Sequence, residues 1–173
     1  MNNSADYIKV NFDEVTEEAY EGMTLTALNG VTATIVTGFV ENGESAFMIR
    51  YNSAATNDPS VKTFDANQAV TNVETGETFT TLTTDRDPIG KGSIFKIDEG
   101  VIFAEGQFIR FLDTKIVVSG FDQSPTADVG FIVSEDIITS DDDQSLLDNA
   151  NGTFNFAAPG AHRLKYSLGL AVK

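Results

Sequence analysis

The chain has 173 residues, 41% hydrophobic and 21% charged, a globular composition with room for one domain or two small ones. It has no cysteine, which removes thiolate chemistry, cysteine-ligated zinc and iron–sulfur clusters. Twenty-six acids against eleven Lys and Arg give a formal charge of -15, so nucleic acid and anionic membranes, both bound through cationic side chains, are poor partners.

The first residues carry no charged n-region and no apolar h-region, so no signal peptide is expected, and the apolar runs are too short to span a bilayer. Thr16 to Gly22 reads as one short helical turn with Thr16 as N-cap and Gly22 as the stop. Strand signals follow. Met23, Leu25 and Ala27 alternate with Thr24 and Thr26, and Val31, Ala33 and Ile35 with Thr32 and Thr34, about an Asn29-Gly30 pair that predicts a two-residue hairpin turn. A second turn at Glu41 to Glu44 leads to a strand on which Phe47, Ile49 and Tyr51 share a face. Residues 52–64 read as a loop with a short extended piece, and a further hairpin turns at Thr75-Gly76. Asp85 to Gly92 packs Pro88, two glycines and four charges into eight positions and reads as a linker.

A second β-rich stretch begins at Ser93, with turns at Asp98 to Gly100 and at Glu105-Gly106, then strands at residues 114–121 and 128–138, where Val129, Phe131 and Val133 share a face. Ser140, three following aspartates and Asn151-Gly152 give the N-cap, first-turn acids and C-cap of one short acidic helix. In the last strand Leu164, Tyr166, Leu168, Leu170 and Val172 alternate without error. The expected architecture is mainly β. An N-terminal β-rich attachment or oligomerisation module (1–84) and a linker (85–92) precede a C-terminal sandwich-like module (93–173), each module a small sandwich or barrel.

The candidate sites point away from catalysis. The only histidine, His162, follows Pro159-Gly160 at the head of a strand; with no G-x-S-x-G and no cysteine there is no signalled nucleophile for a triad, and a backbone hydrogen bond is its ordinary role. Asp141, Asp143 and Ser145 alternate as calcium ligands do, but Leu146 stands where the loop needs glycine, and acids at a helix start explain the run. No spacing singles out a glycosidase carboxylate pair, and the absence of tryptophan weakens both glycosidase and sugar-binding readings. No glycine-rich loop matches a nucleotide motif. The thirteen phenylalanines fall mostly on alternating strand faces. Asn149, Asn151 and Asn155, small Ala157 and Ala158, and Pro159 together specify a tight loop geometry, a structural joint between helix and last strand.

The stretches Gly100 to Phe108, Ser140 to Ala150 and Ala158 to Leu164 (A-P-G-A-H-R-L) resemble a domain of unknown function found in virion proteins of tailed bacteriophages, cyanophages among them. The resemblance runs from about Ala19 to the end; Phe103 and Phe156 stand where that family favours tyrosine. It marks Asp148, Asn149, Asn151, Asn155, Ala158, Pro159, Gly160, His162 and Arg163 as a structural motif. It implies a non-enzymatic component of the phage tail, a tail-fibre attachment region or a baseplate adaptor. Such a component is assembled in the host cytoplasm and resides in the virion. It has no catalytic residue, cofactor or metal, and no nucleic-acid or membrane partner. The implied partners are further copies, with a trimer favoured, and other tail proteins. Some apolar strand positions of the N-terminal module are then expected to be exposed in the monomer. The alternatives are a glycan-recognising receptor-binding module and, behind it, a polysaccharide-degrading enzyme.

Overall fold

A computed structural model describes residues 2–12 and 19–173. The chain divides into two compact units, the first formed by Met1–Lys96 and Lys115–Ala127, the second by Ile97–Thr114 and Asp128–Lys173. Both are β structures.

The first unit holds eight strands: β1 (Asn2–Lys9), β2 (Thr24–Ala27), β3 (Thr32–Glu41), β4 (Glu44–Ser53), β5 (Ala69–Asn72), β6 (Thr78–Thr80), β7 (Ile89–Ile97) and, after the excursion into the second unit, β10 (Thr114–Ser119). Their order in the sheet is β10-β7-β1-β4-β3-β2-β5-β6. The β6 end does not stay open. Val10, just past β1, bridges Thr81, just past β6; Asn11 N–H donates to Thr80 O at 2.8 Å and Leu82 N–H to Lys9 O at 3.0 Å. Strands β1, β4, β3, β2, β5 and β6 thus roll into a closed barrel, which removes edges that would otherwise invite pairing with other chains.

Two cores follow from the period of two along each strand. Ile8, Leu25, Ala33, Ile35, Phe47, Ile49, Val70 and Phe79 fill the barrel, with Phe64 from the loop after β4. Tyr7, Ala46, Met48 and Phe39 point the other way and pack with Ile94, Val117 and Phe121. Strand β4 is therefore apolar on both faces. A register shift between Ile35 and Thr37 lets β3 serve the barrel with Ile35 and the outer core with Val36 and Phe39.

Turn chemistry explains two departures from the expected local structure. At Asn29-Gly30 only Gly30 has positive φ, 89°; Gly30 N–H donates to Ala27 O and Ala27 N–H to Val31 O. The hairpin is a three-residue loop with Gly30 as the left-handed residue, not the expected two-residue turn, because the Asn29 side chain accepts Val31 N–H at 3.1 Å and holds its own backbone out of the left-handed region. At Glu41 to Glu44 the primed two-residue turn does form, with Asn42 at φ 55° and Gly43 at φ 77°. Of the turn expected at Thr16 to Gly22, Thr16, Glu17 and Glu18 lie outside the described residues; Ala19 to Gly22 is a turn in which Met23 N–H reaches Tyr20 O.

The expected linker Asp85 to Gly92 is part of the first unit. It forms a 3-10 turn (Thr84–Arg86) and the start of β7, and β7 pairs with β1 from Asn2↔Phe95 to Ile8↔Ile89. Charges that suggest a solvated tether are paired, Arg86 with Glu44 at 2.7 Å and Lys91 with Asp6 at 2.9 Å. Gly92 is small because chains meet there: a Cβ would stand 2.8 Å from Ser119 O and nearer still to Gly120 O.

The second unit holds two hairpins. Strands β8 (Gly100–Ala104) and β9 (Gln107–Phe111) join through Glu105 at φ 49° and Gly106 at φ 75°, a primed two-residue turn. Strands β11 (Val129–Ile138) and β12 (Arg163–Val172) pair over ten positions without a break. Phe111 of the first hairpin meets Phe131 of the second with ring centroids 4.7 Å apart. The acidic helix expected between β11 and β12 is absent; Gln144–Leu146 makes a single 3-10 turn. The aspartates bind local backbone and start no α-helix: Asp142 accepts Thr139 N–H and Oγ1–H, Asp143 caps the 3-10 turn by accepting Ser145 N–H, and Asp148 accepts Ala150 N–H.

Candidate functional site

The joint before β12 is built from backbone. Asp148 N–H donates to Ala158 O at 2.9 Å, Ala157 N–H to Asp148 O at 2.8 Å and Gly160 N–H to Leu146 O at 2.9 Å, and Leu147 bridges Pro159. This short ladder clamps the two ends of the loop that holds Asn149, Asn151 and Asn155. Inside it Asn151 N–H reaches Asn149 O and Ala158 N–H reaches Asn155 O. Ala157 takes the left-handed conformation at φ 62°. Gly160 is required by contact: a Cβ there would run into Leu146 O. Leu146 is the buried residue that anchors the segment.

Of the nine motif residues, Asp148, Ala158, Pro159 and Gly160 come together in the ladder. Asn149 and Asn155 serve it through their carbonyls. His162 is exposed and its ring has no hydrogen-bond partner among the described residues, so the backbone bond expected of it is not made. Arg163 opens β12 with Nη1 4.0 Å from Asp143 Oδ2. The hydrogen bonds from Ser145, with Arg163 adding to them, hold the Asp143 carboxyl below its ordinary range; those from Thr139 do the same for Asp142. Among the described residues no three His, Cys, Asp or Glu side chains converge to hold a metal ion.

Two features have little or no sequence signal. In the first unit Lys9 is nearly buried: its Nζ donates to Glu44 Oε2 at 2.8 Å and Arg86 O at 2.9 Å and sits 4.2 Å from the centroid of the Phe121 ring. Arg86 binds Glu44 through Nε and Nη2, and Tyr7 Oη–H reaches Asp87 O. Lys9 lowers the Glu44 carboxyl below its ordinary value, with Arg86 contributing, against the opposing pull of burial. No buried side-chain polar atom among the described residues is left without a partner, so the cluster works as a tie that fixes the barrel to the 84–88 turn. Its only trace in the sequence is a lysine inside a strand between Ile8 and Val10.

The second unit carries the other feature. Every buried apolar residue of the described chain except Ile109 and Leu146 belongs to the first unit. In the second unit Val101, Phe103, Phe108, Ile137 and Leu164 are exposed on strands, and the Phe103 and Phe108 rings lie against each other at 5.1 Å. Phe12, Leu28, Val40 and Val73 are exposed in the first unit, but as scattered single residues of loops and strand ends.

No curated protein matches the chain, and no solved structure does. One family model matches residues 57–173, from the loop after β4 through β12, a narrower span than the resemblance beginning near Ala19. With about two thirds of its length matched, the chain belongs to the family described as Domain of unknown function (DUF4815).

Proposed function

We propose that this protein is a non-enzymatic structural component of a tailed-phage virion, a tail-fibre attachment region or baseplate adaptor that works as a homo-oligomer docked to other tail proteins. The phage assignment and the three-fold order rest on the resemblance of the Gly100 to Phe108 and Asn149 to Leu164 stretches. The oligomeric role rests on one observation, the unfinished core of the second unit. Two hairpins with only Ile109 and Leu146 buried are short of the apolar burial that independent stability needs. Large apolar side chains displayed on strands are the surface that subunit interfaces use. The first unit is closed and doubly packed. The motif residues act as a joint that sets where β12 begins.

Light scattering coupled to size-exclusion chromatography on the purified chain tests this reading. A stable oligomer, a trimer or a multiple of it, is the expected result. A monomer at every accessible concentration would overturn the self-assembling role.

A further inference from the structure

The exposed apolar residues of the second unit include two patches at two levels, apart from Leu112, Ile132, Phe154, Phe156 and Val172, which are exposed outside them. On the β8–β9 hairpin, Ile102, Ile109 and Phe111 share one face, and the Phe111 ring meets Phe131 of β11 at a 50° tilt. The alternation of a strand turns Val101, Phe103 and Phe108 to the opposite, outer face of the hairpin. These three are 60%, 66% and 79% exposed. The second patch is on β11–β12. Ile137 and Leu164 are cross-strand partners on the same face as Phe131, and are 63% and 54% exposed. They stand six positions along β11 from Phe131, roughly 20 Å at the rise of a strand. The hairpin therefore lies over one end of this face and leaves the other end bare. The result is a step, with the outer patch one layer, about 10 Å, above the bare one.

We infer that two copies of this chain pair through this step, the outer face of β8–β9 in each copy seating on the Ile137–Leu164 end of the other. The inference rests on the oligomeric reading above and adds its geometry. In a two-fold contact, patch meets partner patch twice, reciprocally. A step turned over onto a copy of itself sets the high patch of each on the low patch of the other, so both are covered at once. The area agrees. At about 200 Å² for a phenylalanine and a little less for the aliphatic residues, scaled by their exposure, one such contact covers roughly 600 Å² of apolar surface. The two reciprocal contacts cover roughly 1,200 Å², against an apolar share of about 1,000 Å² in a standard interface of about 1,600 Å². A second copy is the occupant because both halves of the contact are present on one chain. The pairing alone gives a dimer; two three-fold assemblies paired in this way give a hexamer.

The test is a complementation. One variant carries Phe103→Ser and Phe108→Ser, the other Ile137→Ser and Leu164→Ser, and the mass of each is read by light scattering alone and mixed one to one. The wild-type chain is expected at an even number of copies. Each variant alone is expected at half that mass, while the mixture recovers pairs through the one contact whose two halves are both unchanged. A mixture of folded variants that stays at half mass overturns the inference. So does either variant that keeps the wild-type mass, or a wild-type chain that stays a trimer; these results leave the oligomeric reading standing with its interface elsewhere. A wild-type chain that is itself monomeric overturns both. Where a double variant loses its far-ultraviolet β signal, the single changes Phe108→Ser and Leu164→Ser replace it in the same mixture and are read in the same way.

Discussion

Glu44→Gln probes how the barrel is tied to the 84–88 turn. Lys9 and Glu44 side chains are 10% and 16% exposed and 2.8 Å apart, so the pair is close to buried. Removing one partner of a buried pair costs about 3–5 kcal/mol when the other charge is stranded. Lys9 is not wholly stranded, because Arg86 O and the Phe121 ring remain beside it, and a cation–π contact contributes about 0.5–2 kcal/mol. The expected loss for Glu44→Gln is therefore about 2–3 kcal/mol. In a Lys9→Met background the same change removes only the contact with Arg86, which is half exposed, and should cost less than about 1 kcal/mol. Urea unfolding followed by tyrosine fluorescence reads both, since the chain has no tryptophan and Tyr7 lies beside Phe121. Equal losses in the two backgrounds would refute the coupling. The pH dependence has a definite sign. Because folding lowers the Glu44 pKa from an ordinary 4.5, its contribution is present above that value and is lost as pH falls through the lower folded one. Glu44→Gln should remove that part of the acid sensitivity.

The joint predicts a contrast: Gly160→Ala, which drives a Cβ into Leu146 O, should destabilise or misplace β12, whereas His162→Ala should stay within about 0.5 kcal/mol of wild type. Thermal melts of the two variants check this, and a larger loss for His162→Ala would return a structural role to that ring. Gly92→Ala should cost about 1–3 kcal/mol by forcing β7 away from the Ser119 and Gly120 carbonyls, measured by denaturant midpoint. Tyr51, whose hydroxyl oxygen accepts Phe64 N–H and whose pKa burial pushes up to about 12, should ionise later than an ordinary tyrosine in an ultraviolet titration of the folded chain. A single transition near the ordinary tyrosine value would contradict its burial.

Local chemistry is legible along the chain. Alternating apolar residues locate the β3, β4 and β12 strands, and Asn42-Gly43 and Glu105-Gly106 locate primed turns, because side-chain period and left-handed propensity are properties of a few consecutive residues. In the A-P-G-A-H-R-L stretch the contacts are made by backbone groups and not by the histidine. The acidic helix fails as a reading because aspartates that suit a helix start suit side-chain-to-backbone turns equally well, and only the closure of the loop by Leu147 and Pro159 decides between them. What tertiary structure alone settles is long-range. The pairing of Val10 with Thr81 that closes the barrel joins segments far apart in the chain, and the Lys9–Glu44–Arg86 cluster is assembled from three of them. Asp85 to Gly92 reads as a tether in isolation, since nothing in those eight residues says that Glu44 and Asp6 will meet their charges. Composition and pattern determine that this chain is a β protein. Which strands close on which, and which apolar faces remain uncovered, depends on contacts between residues far apart in sequence, whose loop-closure cost only the complete packing of the fold repays.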